Sequence, residues 1–198
     1  AEKIESLKAY TYNLEDGKVV ETKMEKDAVF QDKLDKNHFV KKFTLPAVKD
    51  GSIIEYMYEI KSDFLFNLQP WNFQGKYPRI WSEYRLNKPQ FFDYVFLSQG
   101  FSQFHIHDVK EKFTNYMVRE RSECAFGRDD LYSISSHNAI SRWVLTDVKP
   151  LREEKFTSTL SNYISRIEFQ LSGYNFPNSP YKNIMSSWET VTTELMKD

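Results

Sequence analysis

The chain has 198 residues, with 27 Lys+Arg against 28 Asp+Glu and a formal net charge of -1. That balance, with basic residues interleaved with acids from Lys3 to Lys197, argues against the basic stripe of a nucleic-acid binder. Hydrophobic residues at 40% and aromatics at 16% exclude a disordered chain, the length fits one or at most two domains, and no apolar run approaches the ~20 residues that a membrane-crossing helix needs.

Apolar alternation at period two dominates the first part and predicts half-buried antiparallel strands. Residues 8–14 place Tyr10, Tyr12 and Leu14 on one face, Asp16-Gly17 supplies a type I′ hairpin turn, and 19–24 return. Phe39, Phe43 and Leu45 share the next face, with Lys41 between them at a position that must reach an edge or snorkel, and Pro46 ends the strand. Asp50-Gly51 makes a turn into the clearest strand, 53–60, which is expected to pair with the strand before it.

After the 71–78 connection, Ile80, Ser82, Tyr84 and Leu86 alternate, and 91–97 is apolar on both faces except at Asp93, the pattern of a central strand. Further strands are predicted over 104–109, 113–118, 142–145 and 164–171. Ser186-Ser187-Trp188-Glu189 has capping-box spacing, and Trp188, Val191 and Leu195 follow at helical spacing, so a short helix is predicted over 187–197. The expected fold is all-β, an antiparallel β-sandwich-like module with a short C-terminal helix. Its expected partition is one β-rich domain over 1–178 and a helix or connector over 179–198. The start at Ala1 suits removal of an upstream piece such as a signal peptide.

Few residues suggest chemistry. Cys124 is the only cysteine, so no internal disulfide or thiolate zinc cluster can form, and its neighbours match no thiol-enzyme signature. His105 and His107 alternate onto one face and are the nearest thing to a metal site, but two ligands do not make one, and no cofactor is expected. Pro70-Trp71-Asn72-Phe73-Gln74-Gly75-Lys76-Tyr77-Pro78 packs three aromatics into a loop. The favoured reading is a cap over a sandwich core. The sharper alternative is a glycan or peptide platform with Trp71, Phe73, Tyr77 and Trp81 as contact residues.

Several phrases together resemble a known family. They are Ala9-Tyr10-Thr11-Tyr12-Asn13-Leu14-Glu15-Asp16-Gly17-Lys18, then 43–56 with Leu45-Pro46 and Asp50-Gly51-Ser52-Ile53-Ile54-Glu55-Tyr56, then Trp71-Asn72-Phe73-Gln74 with Tyr77-Pro78 and Ser82-Glu83-Tyr84. Asp147-Val148-Lys149-Pro150-Leu151-Arg152-Glu153-Glu154 and Arg166-Ile167-Glu168-Phe169-Gln170-Leu171 complete the set. This resembles the uncharacterised domain that precedes transglutaminase-like domains in cell-envelope proteins of Bacteroidetes-type bacteria. The resemblance implies a non-catalytic accessory module, periplasmic or on the cell surface, whose partner is a papain-like Cys-His-Asp domain of the same polypeptide. It assigns no catalysis to Cys124. Members of the family carry further strands before the phrase that starts here near Ile4, which implies an unpaired edge strand and self-association across it. A glycan- or peptidoglycan-binding module and, last, a metal-dependent hydrolase using His105 and His107 are the alternatives.

Overall fold

The computed structural model describes residues 2–66, 68–100, 102–120, 130–152 and 159–184, together with Thr192 and Met196. Among them the fold is all-β, with every strand pairing antiparallel. The chain divides into two compact units, residues 1–64 and 65–198, inside the stretch that the sequence reads as one domain over 1–178. Cys124 and most of the helix predicted over 187–197 lie outside the described residues. Within that stretch, Met196 N–H donates to Thr192 O at 3.0 Å.

In the first unit the strands are β1 (Glu2–Glu15), β2 (Lys18–Lys23), β3 (Val29–Lys33), β4 (Phe39–Phe43) and β5 (Ile53–Ser62). Asp16 and Gly17, at φ 48° and 74°, form the expected two-residue turn, because a type I′ turn requires positive φ at both central positions. β1 is the middle strand of a β2-β1-β5 sheet, so the outer sides of β2 and β5 are edges, and among the described residues β1 has no strand partner on its β2 side ahead of Ala9. β2 pairs only from Tyr10 onward, and β5 runs along β1 from Glu2 to Tyr12. The edge left beside Ile4 is met by Lys41, whose Nζ donates to Ile4 O at 3.0 Å. That is the edge-reaching role its place between Phe39 and Phe43 predicts.

β5 pairs with β1 and not with the strand before it. The reason is local: β4 folds back on β3 through a turn in which the Asp35 carboxylate accepts the Asn37 and His38 N–H groups at 2.8 and 2.9 Å. Such Asx turns give the backbone a short-range partner, and β3 thereby becomes the partner of β4. Alternation buries Ala9, Thr11 and Asn13 on one face of β1. Asn13 donates to Ala47 O at 2.8 Å and accepts from Ser52 Oγ at 2.5 Å, fastening the Asp50-Gly51 turn.

The second unit contains β6 (Trp71–Asn72), β7 (Arg79–Lys88), β8 (Phe92–Gln99), β9 (Ile106–Glu120), β10 (Asp130–Val148), β11 (Arg166–Tyr174) and β12 (Lys182–Asn183). One sheet runs β7-β10-β9, and the other has β11 flanked by β8 along one edge and by β12 and β6 along the other. Trp143 and Leu145 from the first sheet and Ile167 and Phe169 from the second share one core with Phe73 and Val148. Phe169 stacks on Tyr84 at 5.3 Å between ring centroids and meets Trp143 edge-on at 5.5 Å. Each fully buried large apolar side chain contributes roughly 1.5–3 kcal/mol, and here both sheets supply them, which makes this unit a sandwich.

Two strand expectations are corrected. β8, which covers the 91–97 run, is not central: among the described residues it pairs only with β11, and Val95, Phe96 and Leu97 remain exposed. On one face Phe92 and Tyr94 pack on the core and Phe96 meets Trp143 at 5.9 Å, while Val95 and Leu97 on the other face are exposed. The predicted strands 104–109 and 113–118 are a single strand, β9, since Lys110-Glu111-Lys112 lies on an edge where charge stays solvated.

Gly100 follows β8 at φ 108°, and a Cβ there would stand 2.6 Å from Ser165 Oγ and 2.8 Å from Ser165 Cα. Gly100→Ala is therefore expected to cost about 1–3 kcal/mol, read as a lower melting temperature. An unchanged melting temperature would contradict this close approach.

Candidate functional site

The 71–78 loop is tied down from Trp71 to Gly75. Trp71 Nε1 donates to Ser82 Oγ at 3.3 Å, Phe73 N–H to Ser165 O at 2.8 Å, Gln74 Nε2 to Lys149 O at 3.0 Å, and Leu151 N–H to Gly75 O at 2.8 Å. Phe73 is fully buried and meets Phe104 edge-on at 5.3 Å. It has no surface with which to meet a ligand, so it drops out as a contact residue, and the loop is a cap on the sandwich core. Trp71 is half-buried against Tyr84 at 6.1 Å. Only Tyr77, 73% exposed, and Trp81, 48% exposed, present rings to solvent.

Trp81 belongs to a different constellation. Alternation along β7 sets Trp81, Glu83 and Arg85 on one face, beside Arg142 of β10 and Asp108 of β9. Arg142 grips Glu83 through Nε at 2.8 Å and Nη2 at 3.0 Å, Trp81 Nε1 donates to Glu83 Oε2 at 2.8 Å, and Arg85 donates to Glu83 Oε1. The Arg142 guanidinium lies 5.7 Å from the centre of the Trp81 ring. Burial pushes the Glu83 carboxyl up, but the hydrogen bonds from Arg142, Arg85 and Trp81 outweigh it and hold the pKa at about 2. The same pairing, against an opposing burial effect, raises Arg142.

A carboxylate ionised at every ordinary pH, with both oxygens filled by donors, is a poor general acid or base. The cluster is an ion-pair lattice holding an exposed tryptophan. The order Trp81-Ser82-Glu83-Tyr84-Arg85 carried a readable signal of it, three functional side chains at period two. Arg142 did not, since its place depends on the pairing of β7 with β10.

His105 and His107 stand where the chain enters β9. His105 precedes β9, with its N–H donating to Val144 O at 2.9 Å. The His107 ring stacks on Trp143 at 5.5 Å and meets Phe96 at 5.9 Å. Among the described residues no group of three or more His, Cys, Asp or Glu could hold a metal ion.

The most extensive exposed apolar surface of the first unit is β5. Ile54, Tyr56, Tyr58 and Ile60 lie on one face and Ile53 and Met57 on the other, all exposed, with Met57 at 58%. Phe43 and Tyr58 flank Tyr56 at 6.1 and 6.4 Å. On the second face Tyr12 donates to Glu55 Oε2 at 2.9 Å, and that bond is the main reason the Tyr12 phenol is pushed up to about 12. Among the described residues β5 pairs only with β1, so its outer edge offers backbone donors and acceptors.

No family model, curated protein or solved structure matches the chain.

Phe73→Ala is expected to cost about 3–5 kcal/mol, while Tyr77→Ala stays within about 0.5 kcal/mol; similar losses from both would contradict the cap. Glu83 titrates below its ordinary 4.5, so its stabilising effect is complete above that pH and fades as pH falls toward 2. Glu83→Gln is expected to flatten this part of the acid unfolding curve. An acid limb of unchanged slope would contradict the ion-pair lattice.

Proposed function

We propose that this chain is a non-catalytic interaction module of a transglutaminase- or protease-like envelope protein, periplasmic or on the cell surface, and that it works by offering sheet surface to a catalytic domain of the same polypeptide. The observation that carries the reading is β5, a ten-residue strand with apolar residues exposed on both faces and an open edge. A strand of this kind invites β-augmentation, in which main-chain hydrogen bonds supply affinity and alternate side chains supply specificity. The ordered phrases from Ala9 to Leu171 support the transglutaminase association, and Glu83 in its saturated ion pairs supports a structural role for that carboxylate.

The test is calorimetric titration of this chain with the transglutaminase-like domain encoded in the same reading frame, produced separately. Saturable binding is expected, with Met57→Lys and Tyr58→Lys each weakening it at least about tenfold, as for truncated interface anchors. A reading frame with no such domain overturns the reading. So does a complex indifferent to both substitutions.

A further inference from the structure

We propose that a second copy of this chain pairs with it through β9, antiparallel and in one register, centred on Asn115. This rests on the second unit and is independent of β5 and of the transglutaminase reading. β9 is an edge strand of the β7-β10-β9 sheet, and among the described residues its outer side has no strand partner. Residues 111, 113, 115, 117 and 119 alternate onto one face, all of them exposed, with Met117 at 66%. Phe113 is not buried by its own fold, beyond an edge contact with His137 at 5.3 Å.

The face reads Glu111, Phe113, Asn115, Met117, Arg119, and this order is self-complementary when reversed. Antiparallel pairing about Asn115 sets Glu111 against the second copy's Arg119, Phe113 against the second copy's Met117, and Asn115 against its own equivalent. Two-fold symmetry then repeats the ion pair and the apolar pair on the other side of the axis. Directly opposite residues on one face are the unit of sheet stabilisation, and opposite charges there are favourable where like charges are not.

Neighbouring registers lose this match. Centring on Glu111 stacks that carboxylate on itself and Lys110 on Lys112. Centring on Lys112 stacks two ammonium groups, and centring on Thr114 sets Glu111 against Met117. The chosen register would join two three-stranded sheets into one of six strands and remove the exposed edge from both.

The experiment is sedimentation of the 198-residue chain over a wide concentration range, with charge reversals. A dimer is expected whose dissociation constant rises about tenfold in Glu111→Arg and in Arg119→Glu and recovers in the double reversal, because each pair occurs twice in the dimer. Circular dichroism checks that each variant is folded, and the double reversal keeps the test valid if a single one folds poorly. In a Cys124→Ser background, Asn115→Cys is expected to form a disulfide-linked dimer on oxidation, since residues on the axis bring their Cα atoms within bridging distance. A monomer at every concentration overturns the proposal. A dimer that ignores the reversals but is broken by Tyr58→Lys places the contact on β5 and overturns it equally.

Discussion

The second unit depends on the length and coiling of one strand. β10 runs nineteen residues from Asp130 to Val148 and serves two cores with opposite faces. Trp143 and Leu145 point into the sandwich with Ile167 and Phe169, whereas Ile134, one pleat repeat beyond Ser136, packs with Phe91, Phe92 and Leu171. A straight strand cannot present odd positions to one core and even positions to another on the same side. β7 pairs with β10 only from Ala139 onward, so the far end continues as a two-stranded ribbon with β9, and such ribbons coil more strongly than wide sheets.

That coiling has a polar cost, which the sequence answers in part, since Asn138 Oδ1 has no hydrogen-bond partner among the described residues. Ser136 and Asn138 are buried, and a buried amide or hydroxyl without partners is expensive. Asn138 Nδ2 donates to Asn87 Oδ1 at 2.9 Å and to Tyr116 Oη at 2.6 Å, and Ser136 Oγ accepts from Gln90 N–H at 3.1 Å. These bonds link β7, the turn after it, β9 and β10. They lie where the pairing of β7 with β10 ends, at Ala139 and Lys88.

The regular parts of the fold were legible because local chemistry decided them. Asp16-Gly17 demanded a hairpin, Pro46 ended a strand, and Ser82, Tyr84 and Leu86 alternated. The first half of β10 was not legible, since Ser133, Ser135, Ser136, His137 and Asn138 read as loop until their partners are known. The pairing of β5 was missed for a related reason: the choice between β1 and β4 turns on the Asx turn at Asp35, which occupies β4 with β3. Of the candidate site, Trp81 was visible, but its tie to Arg142 required the β7 to β10 register. Phe73 looked like a ligand contact because an aromatic loop gives no sign of which ring turns inward.

The first unit contrasts with this. Its buried hydrophobic side chains among the described residues are Ala9 and Met24, while β5 leaves six large apolar residues in solvent, a distribution that favours contact with something further. Amide hydrogen exchange on the chain alone tests this central claim most directly. The account predicts that amides of β5 alternate, slow where they bond to β1 and fast where they face outward, and that Ile167, Phe169 and Leu171 are protected far longer than any of them. Uniformly slow exchange along β5, at the level of β11, would mean that its outer edge is already paired and would contradict the account.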